Sequence, residues 1–404
     1  MIVAATPVIA VRALRENRHQ GRELLDTQAK IVVVGAGIIG SSIAFQLSRR
    51  HKNVTVIDAQ RPGRGATLAS YAWINSRDKS PRAYQDLNRR SLDMWPRFAR
   101  DLKDDVGLRW GGEMRWSATQ DGAKALQEHA EKLRSWGCPV MEITRDQAQA
   151  MEPNVVMEPF TSGVYCAIEG HVDTQRVVKA CLNSVEQAGG TVIVNDGLAS
   201  MSLDHGTGGQ STVRSITLAS GRQVPCDVMV LAAGYETTAI AAMAGIEFPQ
   251  SDSPGATVVT DPQSPIFRTV VCMHTPRDLP EPLMNIRQFA NGSVMIHGGT
   301  HNGSLGDNSD DDAAKLIAEI SRFVPSLAGA RLVEIRRGMR PMPEDGFPVI
   351  GFAGSVPNLY MAVMHSGVTL AALTGEFAAL EILDDVEIDL LAPYRRERFT
   401  TGAR

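Results

Sequence analysis

The sequence predicts a doubly wound α/β domain interleaved with a smaller α+β domain built on an antiparallel sheet. Three observations carry this expectation. A strand, a glycine-rich turn, a helix, a second strand and an acid follow one another within about thirty residues from Lys30. Buried-type β-branched or aliphatic runs recur at Thr191–Val194, Cys226–Ala233 and Asn358–Met364. Between them, Pro249 to Gly306 is rich in Pro, Gly and short alternating runs such as Val294-Met295-Ile296, which reads as an antiparallel sheet. The 404 residues exceed the length at which one core stops growing, so two domains are expected.

The elements follow in order. Ile31 to Val34 is a buried strand, Gly35 to Gly40 a turn, Ser41 to Arg50 a helix with Ile43, Ala44 and Leu47 on one face, and Asn53 to Asp58 a second strand. Asp86–Leu102 and Ala123–Trp136 read as amphipathic helices separated by a Gly/Trp stretch from Gly107 to Trp116. Asp173–Ala188 is a helix that Asp173 or Thr174 caps and Gly189-Gly190 closes. Gly206–Gly209 is a hairpin-like break, Asp310–Phe323 a helix, Leu332–Arg337 a strand and Val368–Leu383 the last helix. The αβ pieces thus lie at both ends and in the middle, which implies interleaving. The nucleotide domain takes residues 30–103, 159–249 and 337–404, and the substrate domain takes residues 104–158 and 250–336. Residues 1–29 form an N-terminal extension whose arginines Arg12, Arg15, Arg18 and Arg22 resemble a transit peptide, but Glu16, Glu23 and Asp26 argue against one.

Composition narrows the function classes. Hydrophobic residues at 43% and charged residues at 21% are ordinary for a globular chain and exclude disordered or fibrous classes. A net charge of −4 leaves no basic excess for a nucleic-acid backbone. Five scattered cysteines without a CxxC argue against a disulfide frame or a zinc site and favour a reducing, cytoplasmic setting. His297 and His301 are four apart, but glycines between them break the helix that a shared metal would need, so no metal is expected. No apolar run is long enough to span a membrane, and a homo-oligomer is allowed.

The strongest local signal is Gly35-x-Gly37-x-x-Gly40. Gly35 permits the tight turn, Gly37 admits a pyrophosphate to bare backbone, and Gly40 lets helix and strand pack closely. The helix start at Ile38 and Ile39 then offers free N–H groups to phosphate. Asp58, eighteen residues after Gly40 and next to Ala59, is placed to accept from ribose hydroxyls and repels a 2′-phosphate. This is a Rossmann-like dinucleotide fingerprint, compatible with NAD or FAD. The loop Arg61 to Ser70, with Arg64, Ala66, Thr67 and Ser70, suits a wrapped pyrophosphate, whereas an NAD-dependent dehydrogenase would run on into another βαβ unit. Tyr71-Ala72-Trp73-Ile74-Asn75 follows; it either approaches the ring of the cofactor or supplies Trp73 and Ile74 to the core.

Near the end stand Arg337-Gly338-Met339-Arg340-Pro341-Met342-Pro343-Glu344-Asp345-Gly346-Phe347-Pro348-Val349-Ile350-Gly351 and, fourteen residues on, His365-Ser366-Gly367-Val368-Thr369-Leu370-Ala371. With the Gly-rich βαβ unit and Val230-Leu231-Ala232-Ala233-Gly234, these segments resemble the flavin-dependent amine and amino-acid oxidoreductases, the family of D-amino acid oxidase, glycine oxidase and monomeric sarcosine oxidase. The resemblance runs from about Lys30 to the end. It implies FAD, a small amine or amino-acid substrate, removal of a hydride from the carbon beside nitrogen, and hydrolysis of the resulting imine. It further implies that Gly234 and residues His365 to Thr369 touch the cofactor and that Arg340 clamps a substrate carboxylate. A planar guanidinium suits that role.

Two departures matter. Members similar to sarcosine oxidase attach FAD to a cysteine where this chain has Met339 and Met342, so non-covalent FAD is expected. Those members also carry a lysine in the strand that here reads Ser293 to Gly299. His297 either supplies the positive charge for reoxidation by oxygen or is a structural histidine, and the electron acceptor, oxygen or another, stays open. Asn285 and Arg287 either line the substrate pocket or form a polar sheet edge.

Overall fold

The computed structural model describes residues 25–206, 209–274, 283–298 and 310–400. The expectations for residues 1–24 and for His301 lie outside these.

Strand β1 (Ile31–Val34) sits between β2 (Val54–Ile57) and Val228–Leu231, parallel to both, with Ile31 opposite Val54 on one side and Val228 on the other. The sheet extends through Thr191–Ile193 beyond β2 and through Val356–Val363 to an antiparallel edge strand, Val349–Ala353, on the other side. The chain winds from β1 through β2 to Thr191–Ile193 on one side and then crosses to Val228–Leu231 on the other, so the crevice at the carboxyl end of β1 is the switch point where such sheets take ligands. Helix α1 (Ile38–Ser48) is buried along its whole length beneath the C-terminal helix, Gly367–Leu383, and one core cluster unites both with the sheet. The other face of the sheet packs on a three-stranded antiparallel sheet whose first two strands, Leu198–His205 and Ser211–Leu218, form the expected hairpin.

The second sheet has eight strands: Leu332–Met339, Pro254–Pro262, Ser293–Gly298, Leu283–Gln288, Val270–His274, Glu113–Ser117, Ser162–Cys166 and Val140–Ile143, in that spatial order. It is mixed rather than wholly antiparallel, since Val270–His274 runs parallel to Glu113–Ser117. Helix Asp310–Ile320 covers its outer face, where Ala313, Leu316, Ile317 and Ile320 share a core with Met284, Ile286, Val294 and Ile296. Residues of opposite parity, Asn285, Arg287, Met295 and His297, therefore point to the inner face.

Two expectations are corrected here. Ser162–Cys166, assigned to the nucleotide domain, pairs with Glu113–Ser117 and Val140–Ile143 and so belongs to the substrate sheet. The polar-edge reading of Asn285 and Arg287 also fails, because their strand is flanked on both sides. By contrast, Asp173 caps helix Thr174–Gln187 as expected, its Oδ1 accepting from Gln175 N and Arg176 N at 3.0 and 3.2 Å.

Candidate cofactor and amine site

The three turn glycines are required for different physical reasons. A Cβ on Gly35, whose φ is +102°, would lie 2.4 Å from the Ala232 carbonyl oxygen, and one on Gly40 would lie 1.9 Å from the Gly35 carbonyl oxygen. These two seat the turn against the strand and the helix. A Cβ on Gly37 would meet only Thr67 Oγ1, at 3.3 Å, so its bare backbone faces open space. Beside it Thr67 Oγ1 accepts from Ile38 N at 3.1 Å. Asp58 lies half-buried against the turn. Its Oδ2 accepts from Ala36 N at 2.7 Å and its Oδ1 from Gln60 N at 2.8 Å, while burial raises its pKa against both hydrogen bonds. Ala59 and Arg64 are exposed next to it.

The short helix Ala66–Ala69 is held between the two domains. Thr174 Oγ1 donates to the Thr67 carbonyl at 2.9 Å, and a Cβ on Gly338 would lie 2.8 Å from Ala69 Cβ. Ser70 Oγ accepts from Ala72 N at 2.9 Å, turning the chain into Tyr71. The C-terminal helix begins against the start of α1, with Ile39 Cγ1 3.4 Å from a Cβ built on Gly367. Neither helix has a side-chain cap or an acid in its first turn. Two positive helix ends thus adjoin. Thr369 anchors the second of them. Its Oγ1 accepts from Asn75 N at 3.1 Å, and its carbonyl accepts from Ser91 Oγ and Trp95 Nε1 at 2.6 and 2.9 Å. Tyr84 Oη donates to Ser366 Oγ at 2.8 Å, while His365 is exposed and Val368 buried. Gly234, at φ +61°, turns the chain away beyond Ala232.

Across from this wall, Arg340 and His297 come together on the inner face of the substrate sheet. Arg340 Nη2 contacts His297 Nε2 at 3.4 Å, and its Nη1 donates to the Pro254 carbonyl. A guanidinium offers only donors, so this ring accepts at Nε2 and carries its proton at Nδ1. Burial draws the Arg340 pKa down. The Tyr71 ring lies 6.3 Å from that of His297, and Asn285 stands opposite His297 in register with a buried Oδ1 that has no hydrogen-bond partner. Arg287 is directed elsewhere. It is 1% exposed, donates to the Tyr71 carbonyl and to His171 Nδ1, and lies 4.3 Å over the Phe289 ring.

The sequence reading missed the support behind Tyr71 to Asn75. Glu169 Oε1 accepts from Ser76 N and Arg77 N at 3.0 and 2.9 Å, and fully buried Arg77 pairs with fully buried Glu113. The alternation in Glu113-Met114-Arg115-Trp116-Ser117 signals that strand. Nothing local signals its partner.

Among the described residues no group of His, Cys, Asp and Glu could hold a metal, and no helix is long and apolar enough to cross a membrane. A family model described as FAD dependent oxidoreductase matches residues 30–380. An opine oxidase subunit of Agrobacterium tumefaciens (strain Ach5) is 27% identical over 384 residues, covering 92% of this chain and 98% of that protein. Glycine oxidase of Geobacillus kaustophilus (strain HTA426) is 24% identical over 366 residues, covering 86% of this chain and 91% of that one. The crystal structure of glycine oxidase from Geobacillus kaustophilus shares the fold, with a TM-score of 0.76, 22% identity, and coverage of 91% and 97%. The residues fit FAD: open backbone at Gly37, two helix starts whose preceding residues supply no side-chain cap, and the buried, unpartnered Trp73 Nε1 and Asn75 Oδ1. The chain is an enzyme of the DAO family of FAD-dependent oxidoreductases.

Proposed function

We propose that this enzyme oxidises the carbon–nitrogen bond of an amino acid or N-alkyl amino acid, with Arg340 holding the carboxylate. The observation that carries the reading is the convergence of Arg340, His297 and Tyr71 opposite the crevice wall. FAD, when bound, supplies a two-electron acceptor for the hydride on the carbon beside nitrogen. Arg340 contributes a planar, half-desolvated fork to a carboxylate, where each N–H···O bond is charge-assisted. His297 orients that fork by accepting from it, which favours the neutral ring and leaves Arg340 as the cation of the pair. Asn285 Oδ1 is free to accept from the substrate nitrogen. The amine enters neutral, so loss of a hydride and of the N–H proton gives a neutral imine, which water converts to a carbonyl compound and an amine. No side-chain base is needed.

Gly37, Ile38, Thr67, Ser70, Gly367 and Thr369 are the residues we assign to non-covalent contact with FAD. Asp58 and Ala59 face its ribose. The absence of a cysteine at Met339 and Met342 supports non-covalent attachment, and the four free cysteines described support a reducing, cytoplasmic setting. A second reading, a flavin-bound subunit with little turnover alone, draws on the relative named as an oxidase subunit. Anaerobic mixing of the purified yellow protein with amino acids, N-alkyl amino acids and simple amines separates these readings. Bleaching by the carboxylate-bearing amines alone is expected. Bleaching by none of them, with a second protein co-purifying, would favour the subunit reading.

A further inference from the structure

A cavity of about 280 Å³ is lined by none of Tyr71, His297 and Arg340. Arg109, Arg176, Arg268 and Arg287 line it, brought there by four separate segments, against one lining carboxylate, Asp173. That carboxylate is already engaged with Gln175 N, Arg176 N and, at 3.5 Å, Arg176 Nε. Asp105 reaches Arg176 and Arg109 at 3.2 and 4.0 Å from outside the lining, but it is two-thirds exposed and solvent-screened. Arg268 is exposed; Glu152 feels its charge, but Glu152 Oε1 accepts from the Arg268 backbone N at 2.8 Å, not from its guanidinium. Arg287 is fully buried, and its polar contacts are the Tyr71 carbonyl, His171 Nδ1 and Met295 Sδ, all neutral.

Asp173 acts on Arg287 only through space, because its oxygens are held by Gln175 N, Arg176 N and the Arg176 guanidinium, and a buried cation that is only partly compensated is costly. The strain is visible in the titration of the neighbours. Burial, then Arg287 and Arg109, drive His171 down to about 3, and burial draws Arg287 down to about 10. Since Arg287 donates to Nδ1, neutral His171 carries its proton at Nε2 as a further donor.

We infer that this cavity binds a small multivalent anion, carried on phosphate or carboxylate groups, at a site separate from the amine site. Four guanidiniums around a cavity of this volume suit several oxygens better than a single monovalent ion. The inference does not depend on the identity of the amine substrate.

The test titrates the FAD-loaded enzyme calorimetrically with pyrophosphate and with citrate at constant ionic strength, using chloride as baseline. Saturable binding of at least one is expected, and the stronger arm distinguishes phosphate from carboxylate. Arg268→Ala should weaken it about tenfold or more, and Arg268→Lys by less. Arg340→Ala should leave it unchanged, so loss there would move the anion to the amine site and overturn the inference. Binding no stronger than chloride for both probes, or binding indifferent to Arg268→Ala, would also overturn it.

Discussion

Glu169 shows how one buried carboxyl ties the cofactor-facing segment to solution conditions. Burial first, then the Glu113 and Asp78 charges, push it up to about 8, while its Oε1 holds Ser76 N and Arg77 N. A carboxyl raised in the folded state favours folding fully only below its unfolded value. That contribution is lost as pH climbs to and through the folded pKa. Thermal melting should therefore drop between about pH 5 and pH 8, over and above the rest of the protein. Glu169→Gln keeps the accepting oxygen and should flatten the drop; an unchanged profile would contradict the assignment. None of this was legible in the sequence, because Glu169 reads there as one more acid beside a turn. Gly37 and Asp58 were legible as positions of the Gly-rich turn from spacing within one segment, and Arg340 was singled out through the resemblance of its segment to the family. His297 was legible only as a position: its contact with Arg340 depends on strand order across the sheet, where Pro254–Pro262 lies between their strands and residues 43 apart come together.

At the scale of the element, the Gly-rich turn separates two kinds of glycine. Gly40→Ala drives a Cβ into the Gly35 carbonyl, a backbone atom that cannot yield cheaply. It should destabilise the protein by about 1–3 kcal/mol or more, measured by denaturant unfolding. Gly37→Ala meets only a hydroxyl at the margin of contact. It should spare the apoprotein's stability yet weaken FAD retention, read from bound flavin absorbance after gel filtration. Equal losses of stability in both variants would refute the distinction. The βαβ unit and the C-terminal helix were legible because their patterns are local: a β-branched run, a glycine turn, a buried helix. Ser162–Cys166 was misassigned for the complementary reason. With four of its five residues buried the run carries no usable period, and only pairing with Glu113–Ser117 reveals the sheet to which it belongs.

For the whole molecule, the proposed function depends on clasping the polar inner face of the eight-stranded sheet onto the carboxyl ends of the parallel strands. The glycines at 338 and 255 permit the approach, the first against Ala69 and the second against the Arg340 guanidinium. The buried pair of Arg77 and Glu113 joins the segment after Asn75 to that sheet, with Arg115 and Asp78 extending it at 2.7 Å. Glu113→Ala leaves a buried guanidinium uncompensated and should cost about 3–5 kcal/mol in unfolding free energy. A loss within that of a surface ion pair, about 1 kcal/mol or less, would contradict the clasp. Interleaving itself was legible from the alternation of αβ and Pro/Gly-rich stretches, but the clasp was not, because it joins a turn to a strand 36 residues further along the chain.

Everything proposed for the reaction turns on Arg340 recognising a carboxylate on the amine. Anaerobic flavin reduction can be compared in the native enzyme and Arg340→Ala, each with an amine substrate and its analogue lacking the carboxylate. Arg340→Ala should remove about 2–4 kcal/mol of binding from the carboxylate-bearing amine and almost nothing from the analogue. Equal effects on the two amines, or none on either, would contradict that recognition.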